Sequence, residues 1–242
     1  MVLWSRLRRG RPAPKLPLPG PCWARRHTLR TERLLLYTPE TSLDLVAAAA
    51  AGSDPEAQRW LSGRTEDIMT DARVREAVLK LCPGDTEALR TSPMARRLLS
   101  QSFQPSPDQG EMLVAVRMDD GRYAGLTMLR ISTGEIGGWL APHARGLGLG
   151  TELFQAAAHL GHAHLGLQTV RAGHEPTNAA SARALTNAGF LPTEGPPRHT
   201  LDNGREIDAH WVRHTAPRPT TRCPGTGPGT GPPSPSEPAV RP

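Results

Sequence analysis

The chain has 242 residues, 37% of them apolar, enough for one substantial domain with a true core. No apolar run approaches the ~20 residues of a membrane span, and three scattered cysteines (Cys22, Cys82, Cys223) exclude a disulfide framework or a cysteine metal cluster. A soluble, reduced, cytoplasmic protein is the expectation. The formal net charge of +6 is unevenly placed: residues 1–30 hold seven arginines, one lysine and no acid, residues 215–242 hold three arginines and one glutamate, and residues 31–214 carry a net of −4. A basic domain face is the mark of nucleic-acid binding, and this distribution leaves such a role to the N-terminal arm alone, where it predicts salt-sensitive binding lost on removing residues 1–27.

Residues 1–27 read as a disordered basic extension. They are poor in serine and broken by prolines, unlike a transit peptide, and they hold no apolar stretch suited to secretion. The domain then runs over 28–214. Residues 32–37 predict a strand, and Thr41–Ala51 a helix with Thr41 as N-cap and Asp44 in capping-box position. Asp54–Leu61 and Asp71–Leu81 are further helical pieces. Met112–Arg117 and Arg122–Arg130 are two strands joined through Asp119-Asp120-Gly121, a hairpin signal. Gly134–Leu140 continues the meander, and a glycine-rich turn at 145–150 opens a helix running to about His164. Gln168–Ala172 is a strand, Asn178–Asn187 a helix ended by Gly189, and Glu206–Val212 a closing strand. The pattern is α/β or α+β, with a mixed, largely antiparallel sheet flanked by helices. Residues 215–242, with nine of the 25 prolines and alternating glycines, form a low-complexity tail expected to be disordered.

The segment Glu135-Ile-Gly-Gly-Trp-Leu-Ala-Pro-His-Ala-Arg-Gly-Leu-Gly-Leu-Gly-Thr-Glu152 is a strand, a short loop with three alternating glycines, and a helix start. Glycines admit backbone conformations closed to other residues. The first-turn amides of the helix carry the positive end of its dipole, so a diphosphate is the natural guest. A P-loop needs Lys-Ser/Thr after its last glycine, and Thr151-Glu152 stands there instead. The dinucleotide fingerprint needs a third glycine at 151 and a βαβ setting, and neither is present. The pattern that fits is Arg-x-x-Gly-x-Gly, at Arg145, Gly148 and Gly150.

That pattern resembles the pyrophosphate loop of the GNAT superfamily of N-acetyltransferases. Two further segments are similar to the branch that acetylates ribosomal-protein N-termini (RimJ/RimL-type): Thr31-Glu-Arg-Leu-Leu-Leu36 to its first strand, and Ser53-Asp-Pro-Glu-Ala-Gln-Arg-Trp-Leu61 to its early helix. His174-Glu-Pro-Thr-Asn-Ala-Ala-Ser-Ala-Arg-Ala-Leu-Thr-Asn-Ala-Gly-Phe190 resembles the later strand–helix unit. The resemblance covers roughly 28–214. It implies a GNAT-like fold and acetyl transfer from acetyl-CoA, as co-substrate, to a primary amine on a protein N-terminus or a small molecule.

It further implies that the backbone of Arg145, Gly146, Leu147, Gly148, Leu149, Gly150 and Thr151 holds the pyrophosphate, with Arg145 adding charge. Backbone groups at Trp139 and Leu140 would pair with the pantetheine arm like an extra strand. Asn178 and Ser181, one turn apart, would reach the pantetheine or phosphate end; Asn178 also suits an N-cap. Glu135 stands where many members carry a general base for the ammonium, though a solvated strand-end carboxylate reads the same way. The tyrosine that often protonates the leaving thiolate is replaced by Leu185, so either Ser181 or water donates or coenzyme A leaves as the thiolate, and a non-catalytic acyl-CoA-binding regulatory module is the alternative. His159, His162 and His164 lack the i, i+4 spacing of a helical zinc site, so no metal is expected. Trp60 and Trp211 read as core anchors. The acceptor cleft falls to residues 52–66 and 195–206; Glu56, Glu66, Asp67 and Asp71 near it would suit a cationic acceptor, or read as a charge run that solvates a face.

Overall fold

A computed structural model describes residues 26–61, 69–85, 110–201 and 203–216. The basic extension up to Arg25, the Pro/Gly-rich tail from Pro217 onward, and Glu66 and Asp67 lie outside the described residues, whereas Thr215, expected in the tail, ends the last strand. The first elements are β1 (Thr28–Arg30), β2 (Leu34–Tyr37), α1 (Ser42–Gly52), α2 (Pro55–Trp60) and α3 (Ala72–Val78). The meander follows as β3 (Glu111–Arg117), β4 (Tyr123–Arg130) and β5 (Glu135–Leu140). A short 3-10 turn (Pro142–Ala144) leads to α4 (Leu149–His159), which ends in a π turn over Leu160–His164. Next come β6 (Thr169–His174), α5 (Ala179–Asn187), β7 (Leu191–Thr193), β8 (Arg198–Thr200), β9 (Glu206–Asp208) and β10 (His210–Thr215).

Eight strands form one sheet in the order β1-β2-β3-β4-β5-β6-β10-β7. Every pairing in it is antiparallel except β5 with β6. The sheet is covered on both faces, which is why its central strands read as near-continuous apolar runs. Leu34, Leu36, Leu113 and Ala115 join α4 and α5 in one core layer, with Leu153, Leu160, Leu185 and Phe190. Leu35, Tyr37, Val114 and Val116 alternate to the opposite face and pack on α1 and α3.

Local chemistry sets the ends of the elements. Thr41 caps α1 with the full capping box, and Asp44 also accepts the hydroxyls of Tyr37 (2.7 Å) and Tyr123 (2.6 Å) in the core. Burial, and the charge of Asp44 beside them, push both phenols well above their ordinary pKa, so they stay protonated donors. Asp54 and Asp71 cap α2 and α3, and Gly189, at φ +91°, follows α5 in the left-handed region.

Three expectations need correcting. The strand placed at 32–37 begins only at Leu34, and a separate strand, β1, precedes it at Thr28–Arg30, because Thr31 bonds to Leu34 and turns the chain between them. The single closing strand at Glu206–Val212 is divided: β9 pairs with β8 in a separate two-stranded hairpin, and β10 joins the main sheet. At the break, the Ala209 amide donates to the Pro197 carbonyl (2.9 Å) and β10 begins one residue later. Trp60 is no core anchor: it is half-buried, its indole donating to Glu56 (2.9 Å) with the Arg59 guanidinium over its ring. Trp211 is buried, as expected.

Candidate active site

β5 and β6 pair in register only at Glu135↔Arg171 and then part. β5 remains fully paired to β4 on its other side, and β6 to β10. The parting therefore turns the backbone edges of 136–140 and 172–174 toward a cleft. This cleft holds about 600 Å³ and is also lined by Trp60, Gly146, Gly148, Asn178, Ser181 and His199. Trp139 is drawn away from it by side chain: its indole donates to the Ala48 carbonyl of α1 (2.9 Å), and Gly52 of that helix leaves the ring its room, since a Cβ there would lie 2.7 Å from the indole nitrogen. What Trp139 and Leu140 offer the cleft is backbone.

At the C-terminal end of β5 the glycine loop turns into α4. Gly146 and Gly148 have φ of +73° and +77°, a region that favours glycine. Gly148 is itself the N-cap of α4, and no side chain caps that helix. The amides of this first turn lie at the positive end of the helix dipole, where negative charge is stabilised. Gly150 serves packing instead, because a Cβ there would come within 3.2 Å of Ala184 on α5.

Two acid–arginine pairs brace this loop. The Arg145 guanidinium donates to both Asp54 oxygens (2.8 and 2.5 Å) and, through Nε, to the Leu140 carbonyl (2.9 Å). Its charge is thus already matched by Asp54. Burial tends to raise the Asp54 pKa, but the hydrogen bonds and charge of Arg145 and the amides of Ala57 and Glu56 outweigh it and hold the carboxyl below the usual range. At the other end, Glu152 accepts from the Thr31 hydroxyl (2.5 Å), the Arg33 amide (2.9 Å) and Arg33 Nε (2.6 Å), while Arg33 Nη1 donates to the Leu147 carbonyl (2.7 Å). Burial is again outweighed by these donors, so Glu152 stays ionised. The Thr31-Glu-Arg segment, read above only as a strand signature, delivers this brace.

The remaining expected residues are gathered as follows. Asn178 caps α5, its side chain accepting from the Ser181 amide (3.0 Å), and both residues line the cleft. Leu185 is buried in the core beneath them. Glu135 lies at the opposite end of β5 from the loop, a six-residue strand away, or roughly 17–20 Å. Its Oε2 faces Arg171 Nη2 at 3.8 Å and its Oε1 faces His199 Nε2 at 3.8 Å. Sequence reasoning missed His199, which reaches Glu135 only because the β8–β9 hairpin folds back across the sheet edge. Among the described residues no group of three or more histidine, cysteine, aspartate or glutamate side chains is arranged to hold a metal ion. His162 Nε2 lies 2.9 Å from His214 Nδ1, and His159 packs edge-on against His164. No helix of the described residues is long and apolar enough to cross a membrane.

The sheet is mixed and parted between its parallel neighbours, with a glycine-turned helix N-terminus at the end of the parting. The model of the acetyltransferase (GNAT) domain matches residues 33–191, and the chain belongs to that family. Among solved structures it is similar to a GNAT-family acetyltransferase from Bacillus anthracis, with 16% identity over 78% of this chain and 98% of that one and a TM-score of 0.53. The ribosomal-protein-S5-alanine acetyltransferase from Vibrio fischeri shares 16% identity over 78% of this chain and 96% of its own, with a TM-score of 0.50. RimL, a ribosomal L7/L12 α-N-protein acetyltransferase solved with coenzyme A, shares 15% identity over 78% of this chain and 98% of its own, with a TM-score of 0.50. At such identities the likeness is one of fold. No curated protein sequence matches the chain.

Proposed function

We propose that this acetyltransferase moves an acetyl group from acetyl-CoA directly to a primary amine, either a protein N-terminal α-amine or a small-molecule amine. The parted β5–β6 pair carries the reading: it opens one cleft that has an amide cradle at one end and a carboxylate, Glu135, at the other. The cradle at 145–151 suits the diphosphate, and the unpaired edge at 139–140 suits the amide-bearing pantetheine arm. Acetyl-CoA supplies an activated thioester. The chain's own task is to align that thioester with the amine, worth several kcal/mol, and to polarise the carbonyl with backbone donors.

The amine arrives protonated at neutral pH and must lose a proton before it attacks. Glu135 provides negative charge and a proton acceptor at the amine end, directly or through water. Ser181, one of the hydroxyls lining the cleft, is the donor proposed for the leaving thiolate where Leu185 offers none. A thermal-shift titration with acetyl-CoA, coenzyme A and NADH tests the donor. Saturation at 100 times Kd adds ~2.7 kcal/mol, or about 5–10 °C for a domain of this size. A shift with both coenzyme A forms and none with NADH is expected, followed by thiol release with primary amines and N-terminal peptides. No shift at millimolar acetyl-CoA refutes the reading, and binding without turnover on any amine identifies a non-catalytic binding module.

A further inference from the structure

We infer that His199 is a catalytic residue, the immediate proton acceptor for the amine, and that Glu135 is its charged partner rather than the sole base. The inference rests on the amine-acetylation reading above and assigns the proton transfer to a particular atom. His199 Nε2 and Glu135 Oε1 are 3.8 Å apart, beyond hydrogen-bond reach of each other. A nitrogen about 2.9 Å from each spans that gap, so the pair forms a seat with two acceptors for one ammonium group. Both side chains line the cleft, and both are partly shielded, with side-chain exposures of 31% and 19%.

The surroundings hold each partner in place. His199 sits on β8 and packs edge-on against Trp211 of β10, ring centroids 5.6 Å apart. Arg171 of β6 lies over the other part of that indole (4.8 Å) and turns a guanidinium nitrogen to Glu135 Oε2 (3.8 Å). Trp211 is itself fixed by donating to the Pro196 carbonyl (2.8 Å). The neighbouring charges are matched among themselves: Arg198 faces Glu206 (3.3 Å) and Asp208 (3.9 Å), and Arg205 faces Glu175 (3.0 Å). Glu135 presents negative charge to His199 and is itself steadied by Arg171.

The division of labour follows from basicity. A general base works best when its pKa lies near the operating pH, which favours an imidazole over an ordinary carboxylate. The bound ammonium donates one N–H to Glu135 and gives a proton from another to Nε2 of a His199 ring protonated at Nδ1. The freed lone pair forms the N–C bond to the thioester carbonyl carbon, and the C–S bond breaks. The amide nitrogen's surplus proton goes to the thiolate, coenzyme A leaves as the thiol, and the imidazolium, held by Glu135, returns its proton to solvent.

The test measures thiol release from acetyl-CoA with the first primary amine or N-terminal Ala or Ser peptide that the wild-type enzyme turns over, comparing His199→Ala, His199→Gln and wild type. His199→Ala is expected to lower kcat by roughly 10²–10⁴-fold, leave the KM for acetyl-CoA unchanged, and regain at least tenfold in activity with added imidazole. His199→Gln, which keeps a planar group against Trp211, is expected to lose kcat equally. The seat is overturned if kcat stays within threefold of wild type, if the acceptor KM alone rises, or if imidazole restores nothing. An enzyme that binds acetyl-CoA yet turns over no amine overturns the amine-acetylation reading and this assignment together, whereas an active wild type with unaffected His199 variants overturns the assignment alone.

Discussion

Replacing Arg145 with glutamine separates two roles that one guanidinium could play at the phosphate loop. The side chain makes a bidentate pair with Asp54 and a third bond to the Leu140 carbonyl, with side-chain exposures of 30% for the arginine and 10% for the aspartate. Hydrogen bonds to charged groups contribute about 1.5–3 kcal/mol each when lost singly, and a fully buried pair costs about 3–5 kcal/mol to break. The partial exposure of Arg145 and the surviving helix-cap bonds to Asp54 place the loss near ~2 kcal/mol. For a domain of this size that is a fall in Tm of about 4–8 °C, measured without ligand by calorimetry. Asp54→Asn keeps the cap acceptor and should show the same direction, and the double variant a coupling of about 1–2 kcal/mol. Because Asp54 caps α2, which carries Glu56 and Trp60 into the cleft, acceptor KM should rise as well. An unchanged ligand-free Tm, together with a tenfold weaker Kd for coenzyme A, would refute this reasoning and place Arg145 on the phosphates.

Three further outcomes are expected. Tyr123→Phe removes one of three hydroxyl donors to the buried Asp44, beside Tyr37 and Thr41, and should lower stability by about 1.5–3 kcal/mol in chemical denaturation, with little effect on coenzyme A affinity. Gly148→Ala places a Cβ 3.3 Å from Arg33 Nη2 at φ +77°, so it should cost about 1–2 kcal/mol and weaken coenzyme A binding by disturbing the cradle, both readable in one thermal-shift titration. Burial, with neighbouring Arg122 for His143, His159 for His164 and His162 for His214, lowers the pKa of these three histidines. The unfolded chain therefore binds more protons below about pH 6.5, so Tm should fall as pH drops from about 7 toward 5. Asp54 and Glu152 are shifted down, and the stability they add is lost only below about pH 4. A flat Tm across that neutral-to-mildly-acidic range would contradict the histidine assignment.

What could be read from sequence was what local chemistry decides. Thr41 and Asp44 announce a capped helix because both partners lie within four residues. The alternating glycines at 146–150 announce a glycine-turned helix start because a positive φ and an N-terminus without a side-chain cap need no distant residue. The edge was less legible. The run at 206–212 has strand chemistry throughout, and nothing in it shows that the chain leaves one sheet and enters another between Asp208 and His210, which depends on Pro197 meeting Ala209.

The same distinction separates the two ends of the cleft. The glycine-loop end is built from contiguous backbone, so one glycine motif locates it. Its supports, Asp54 and Arg33, lie about 90 and 115 residues upstream of their partners, and no local pattern joins them. The Glu135 end, proposed above for the acceptor, is assembled wholly across the sheet: Glu135 from β5, Arg171 from β6, Trp211 from β10 and His199 from the hairpin. Each residue has an ordinary reading alone, a strand-end acid, a surface arginine, a core indole and a loop histidine. Their chemistry arises from β5 and β6 running parallel at Glu135↔Arg171 and from a hairpin returning over that pair. Acceptor choice is therefore expected to follow changes in the 198–208 hairpin rather than in the glycine loop. Exchanging residues 198–208 should alter which amine is acetylated while leaving the thermal shift with coenzyme A intact, and loss of that shift would show that the hairpin also holds the donor end.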